Sequence, residues 1–263
     1  MDDQPADKWT FRLAREEVAL LVELAGAHSI PTLGSHPYGT QDPEQIELLR
    51  QAAVRSLVER GLVVVEDAAI TQIDSLLKGA ILFCVYPQSM ASMVSRYAPA
   101  PELRTEAYYQ VPDATVYHLA DGALHELTLI APPVAVPDML AERLGPYVMD
   151  LDSEFSLPYE DFERAQRHAT GGDIPAALQA IAAHSGAAEI APLLIEALAN
   201  PHLRCVIEQV PDTQAARVAT TSFIVSAASS WIIGGLERAK PGERLTIQAM
   251  TPQRLVAALQ PSG

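Results

Sequence analysis

The sequence predicts an α+β protein made by internal duplication, each copy carrying an antiparallel β-sheet with flanking helices. Three observations predict it. The stretches VYHLADGALHELTLIAP (Val116–Pro132) and SWIIGGLERAKPGERLTIQAMTP (Ser230–Pro252) each read as a strand, a turn signal and a second strand. Each is followed by a Pro-initiated amphipathic helix pattern, VPDMLAERL (Val136–Leu144) and TPQRLVAAL (Thr251–Leu259). Finally, FRLAREEV (Phe11–Val18) and FSLPYEDF (Phe155–Phe162) share Phe-x-Leu, two spacers, two acids and a large apolar residue, in the same order relative to the hairpins.

Taken in order, residues 1–10 read as an acidic N-terminal tail, without the positive and then apolar character of a secretory signal, which points to the cytoplasm. Residues 11–149 form the first copy and 150–263 the second, with the boundary at DLDSEF and the two copies making one compact two-lobed unit. Helices are expected to begin at Phe11 and Phe155. In REEVALLVELAGAH, Val18, Leu21, Val22 and Ala25 mark one buried helix face. DPEQIELLRQAAVRSLVERGL opens with an Asp cap and a Pro at the first helical position, and stops at Gly61. LLKGAILFCVY (Leu76–Tyr86) and ALANPHLRCVI (Ala197–Ile207) each read as a helix end leading into a strand, which sets Cys84 opposite Cys205. That alignment leaves seven extra residues in the first copy, assigned to SMASMVSRYAPAP. GAILFCVYP and SFIVSAASSWIIGG fall short of the roughly 20 residues of a membrane helix and are expected as buried strands. EIAPLLIEALAN is a short helix. In the hairpins Tyr117 corresponds to Trp231, and Leu127-Thr128-Leu129 to Leu245-Thr246-Ile247, with four extra loop residues in the second copy.

Composition narrows the function. With 263 residues, 49% of them apolar, the chain can bury a large core without covalent staples. Its 33 acidic against 18 basic side chains oppose binding to nucleic acid or anionic lipid unless basic residues cluster, and no Lys/Arg run exists. Two cysteines build neither a disulfide framework nor a Cys-based zinc site. His28 and His36 match no common ligand spacing, and His118 and His125, on either side of Asp121-Gly122, are expected as solvent-facing cross-strand neighbours. The pairs Glu16-Glu17, Glu66-Asp67 and Glu160-Asp161 read as solvated helix starts or turns. No catalytic, cofactor-binding or metal-binding residue is therefore assigned, and no cofactor is expected. One alternative is a winged-helix DNA-binding regulator, since Ile46–Leu77 reads as helix, Gly stop, short strand and helix. Its Arg50, Arg55 and Arg60, however, are matched by Glu44, Glu47, Glu59, Glu66 and Asp67. An enzyme with an unrecognised site is the other.

RSLVERGLVVVEDAAITQIDSLLKGAILFCV (Arg55–Val85) and the run from SSWIIGG through LTIQAMTPQRLVAAL resemble the EspG-type proteins associated with actinobacterial type VII (ESX) secretion. The resemblance covers about half the chain. It implies two halves related by a pseudo-two-fold axis, and a non-enzymatic cytosolic chaperone that holds the apolar tip of a helical-hairpin export substrate, with no nucleic acid and no membrane insertion. The oligomeric state is left open. The family often carries an extended loop where this chain turns tightly at Asp121-Gly122, and here the longer loop is Glu237–Arg244. The residues expected to contact the partner are accordingly Trp231, Ile233, Arg238, Lys240 and Arg244.

Overall fold

The computed structural model describes residues 7–99, 102–184, 188–210 and 218–260. The fold is mixed α+β, with a large antiparallel sheet and flanking helices. The chain divides into two compact units.

The first unit contains residues up to Ser92 and Arg104–Val136. It runs β1 (Asp7–Ala14), α1 (Arg15–Leu24), α2 (Pro43–Glu59), β2 (Val63–Glu66), β3 (Ala69–Ile73), α3 (Ser75–Val85) and the start of β4 (Ser89–Tyr97), then β5 (Leu103–Val111), β6 (Ala114–Asp121) and β7 (Leu124–Ala131). Its strands are hydrogen-bonded in the order β1-β7-β6-β5-β4, and β2 and β3 form a separate hairpin. The β6–β7 turn is made by Gly122 and Ala123 between the paired residues Asp121 and Leu124. Gly122 has φ +61°, the positive value that a tight hairpin needs at its first loop position and glycine adopts without strain. Leu13, Leu21, Leu57, Leu77, Tyr109 and Leu127 are among the residues of the core.

Four expectations fail here for identifiable reasons. Asp7–Ala14 is a strand, so residues 7–10 are part of the sheet, while residues 1–6 lie outside the described residues. Phe11 and Leu13 therefore end a strand, and the helix starts only at Arg15, where the Glu17 carboxylate accepts the Ala14 N–H at 2.7 Å. Nor is Glu17 solvated: it is 2% exposed and pairs with Arg60 at 3.0 Å. Gly79–Val85 is not a strand, because α3 continues to Val85. Asp74 caps it by accepting from Leu76 and Leu77, and its buried residues Leu77, Ala80, Ile81 and Cys84 follow helical spacing.

The second unit contains Met93–Leu103, Pro137–Gln209 and the chain from Arg217. It takes the outer part of β4, then α4 (Val136–Leu144), β8 (Glu154–Pro158), α5 (Tyr159–Thr170), α6 (Ile174–Ala182), α7 (Ala191–Ala199), β9 (Leu203–Val210), β10 (Ala219–Val225), β11 (Ser230–Gly234), β12 (Arg244–Ala249) and α8 (Pro252–Leu259). Strand order is β4-β9-β10-β11-β12-β8. Phe155, Phe162, Leu194, Trp231, Ile233 and Ile247 belong to its core, under α5, α6 and α7. Both closing helices form as expected, α8 with Thr251 accepting from the Arg254 N–H.

Here too the sequence reading needs correction. Ser222–Gly235 is two strands with a turn at Ser226–Ser229 between them. Cys205 lies in β9 whereas Cys84 is helical, so the two are not equivalent, and Ser89–Tyr97 is strand β4 rather than an insertion. The hairpin correspondence also slips. Tyr117 pairs with Thr128, but Trp231 pairs with Ala249 and Thr246 with Gly234.

Candidate protein-binding groove

The residues expected to bind a partner separate into two groups. Trp231 and Ile233 are fully buried in the core of the second unit. Trp231 meets Phe155 edge-on at 6.5 Å and donates its indole N–H to Ser229 Oγ at 3.0 Å, so neither residue is available to a partner. The small residues before it also serve the fold: Ser226 Oγ bonds Glu196, and Ser229 Oγ donates to the Leu193 carbonyl. Arg238 and Lys240 are exposed on the β11–β12 connection, and Arg244 is exposed at the start of β12. Arg244 is tied to the sheet edge, donating to Ser156 Oγ at 3.1 Å and to its carbonyl at 2.7 Å.

The surface that sequence reasoning missed begins beside that connection. On β9 and β10 the register sets Arg204 opposite Ile224 and Val206 opposite Ser222. Because side chains alternate across a strand, these four residues share one sheet face. Together with Val94 and Arg96 of β4, Gln166 of α5, and Leu103, Leu236 and Glu237, they line a cavity of about 250 Å³ within the second unit. Val94 and Leu103 are 40% and 54% exposed, unusual for large apolar side chains inside a concavity. The polar groups sit at its margins. Ser222 Oγ donates to Glu237 at 3.2 Å, and Arg204 donates to the Leu198 carbonyl at 2.6 Å. Burial, reinforced by the Arg96 charge, lowers the Arg204 pKa from its ordinary value. No sequence motif announces this groove, since its floor comes from alternate residues of three separated strands.

The first unit offers a smaller apolar recess of about 140 Å³ lined by Leu21, Leu24, Ala25, Ile73, Ile81 and Lys78. It also holds a buried histidine pair. His118 and His125 do lie on one sheet face, but both are fully buried rather than facing solvent. His118 Nδ1 is 2.8 Å from Thr32 Oγ1 and its Nε2 is 2.9 Å from His125 Nδ1, while His125 Nε2 is buried without a partner among the described residues. Burial pushes His118 well below the ordinary histidine value, helped by His125. For His125, burial and then the Arg15 charge push it down to about 4. A histidine depressed in the fold contributes stability that is complete above its unfolded value near 6.5 and lost as pH falls toward 4. Chemical denaturation should therefore show about 3 kcal/mol of stability lost through His125 between pH ~7 and pH ~4. His125→Gln, which keeps a hydrogen-bonding side chain but does not titrate, should flatten that slope; an unchanged slope would refute the assignment.

Two of the three arginines of the winged-helix alternative, Arg50 and Arg60, are occupied. Arg50 pairs with Glu23 at 2.9 Å and lies over the Tyr38 ring, and Arg60 is committed to Glu17. Phosphate contacts would have to displace these carboxylates.

An open sheet groove with an apolar floor and charged margins is the equipment of a protein-binding module. Comparison gives the family: the chain belongs to the EspG family, whose model matches residues 15–261. Among solved structures it is similar to EspG5 of Mycobacterium tuberculosis, described as the type VII secretion system chaperone and solved in complex with the PE25–PPE41 dimer. The match has TM-score 0.66 and 12% identity, and covers 95% of this chain and 94% of that one. At that identity the likeness shows the fold. No curated protein matches the chain significantly.

Proposed function

We propose that the protein is a non-enzymatic, cytosolic chaperone of a type VII-like secretion system that holds the apolar tip of a helical-hairpin substrate protein in the β4–β9–β10 groove. Membership of the EspG family carries this reading. The near-complete structural coverage of EspG5, a chaperone solved with a PE–PPE dimer, supports it. The physics agrees: an apolar helix tip self-associates unless a concave, partly apolar surface covers it. The acidic charge and the pairing of Arg50 and Arg60 with carboxylates argue against nucleic acid, and no helix among the described residues is long and apolar enough to cross a membrane.

The proposal includes an internal duplication. Its support is the repeated order of elements: a strand (β1, β8), helices ending in α3 or α7, four strands (β4–β7, β9–β12) and a closing helix (α4, α8). The sequence distance from Val85 to Ala199, at the ends of α3 and α7, equals that from Ser89 to Leu203, at the starts of β4 and β9. The β2–β3 hairpin is then an insertion in the first copy, between α2 and α3, the counterparts of α6 and α7.

Co-expression with the helical-hairpin proteins encoded beside it, followed by size exclusion and mass spectrometry, tests the function. A one-to-one complex with a hairpin protein is the expected result. Recovery of the protein alone would contradict it.

A further inference from the structure

Two arginines converge on the groove of a chain whose net charge is -15. Arg96 and Arg204 line both the groove cavity and an adjoining recess of about 330 Å³ bounded by Pro99, Thr170, Leu198 and Pro201. Arg204 spends one guanidinium N–H on the Leu198 carbonyl, and its Nε is buried with no partner among the described residues. A buried donor left unmade carries the desolvation penalty of the group without the compensating bond. The groove's own acid, Glu237, turns instead to Ser222. Repulsion between the two guanidiniums adds to the cost of burial, as the lowered Arg204 pKa reflects. A neutral acceptor in the groove would leave the two like charges unanswered, whereas a carboxylate offsets them.

Resting on the groove reading above, we propose that Arg96 and Arg204 form an anion-accepting subsite that takes an Asp or Glu carboxylate from the tip of the helical-hairpin substrate. The apolar floor supplies area, and the charge pair fixes which way round the tip lies and in what register. This division of labour is usual at interfaces, where complementary charges set orientation and association rate.

The experiment measures the affinity of the purified protein for its co-purifying hairpin protein at low and high salt, for wild type, Arg96→Gln, Arg204→Gln and the double variant Val94→Gln/Leu103→Gln. Arg96 is exposed, so its variant removes charge without disturbing the core, and thermal melts check that Arg204→Gln is folded before its affinity is read. Each arginine variant is expected to bind at least about tenfold more weakly and to lose much of the wild-type salt dependence. Arg96→Glu should regain affinity when an acidic residue at the hairpin tip is changed to Arg. Arginine variants with wild-type affinity and salt response, beside a double variant that fails to bind, would overturn the subsite and leave the groove standing. A double variant that binds like wild type would overturn the groove, and absence of any hairpin partner the function itself; the subsite falls with either.

Discussion

Trp231→Ala should cost about 3–5 kcal/mol of folding stability, the range for truncating a large buried aromatic. The side chain is fully enclosed, and its loss leaves a cavity beside Phe155 and removes the N–H bonded to Ser229. Against the roughly 5–15 kcal/mol that holds a typical domain folded, this is a large fraction. Any loss of partner binding in this variant would follow from unfolding, not from a missing contact. Denaturant titration with circular dichroism measures the effect. A variant with wild-type stability that no longer binds substrate would contradict the core assignment.

The second large effect concerns the groove. Val94→Gln/Leu103→Gln removes two exposed apolar side chains from its wall without adding charge. Burial of each by a partner is worth about 1.5 kcal/mol, at the low end for large apolar side chains, so the pair should weaken binding about a hundredfold. Folding should change little, because both side chains are already partly in water. Leu24→Gln/Tyr86→Gln, on the exposed apolar surface of the first unit, should leave affinity unchanged. Isothermal titration with the hairpin protein separates the two surfaces; the reverse pattern would move the site to the first unit.

Elements whose signals are local were legible. The Asp42 cap of α2 and the Thr251-Pro252 start of α8 stand where the sequence places them, and the β6–β7 turn falls one residue later, at Gly122-Ala123 rather than Asp121-Gly122. Those that depend on distant partners were not. β1 is a strand because it pairs residue by residue with β7 across most of the first unit's sequence, which no window around Phe11 reveals. The Gly79–Val85 segment of α3 is apolar on several sides, and a short apolar run does not distinguish buried helix from buried strand. The helix's buried positions Leu77, Ala80, Ile81 and Cys84 held the helical period that would have decided it. Trp231 attracted attention as an aromatic, yet the sequence places Ile233 on the same strand face, a pattern better suited to a core. The groove was beyond reach because Val94, Val206 and Ile224 become neighbours only when three strands are laid side by side.

The central claim, that the groove of the second unit seats the substrate, is tested most directly by photo-crosslinking. A photoreactive amino acid replaces Leu103 in one preparation and Tyr86 in another, each in complex with the hairpin protein, and crosslinked peptides are mapped by mass spectrometry. The account predicts crosslinks from position 103 to the apolar tip of the hairpin and none from position 86. Crosslinks to the tip from position 86 with none from position 103 would contradict it.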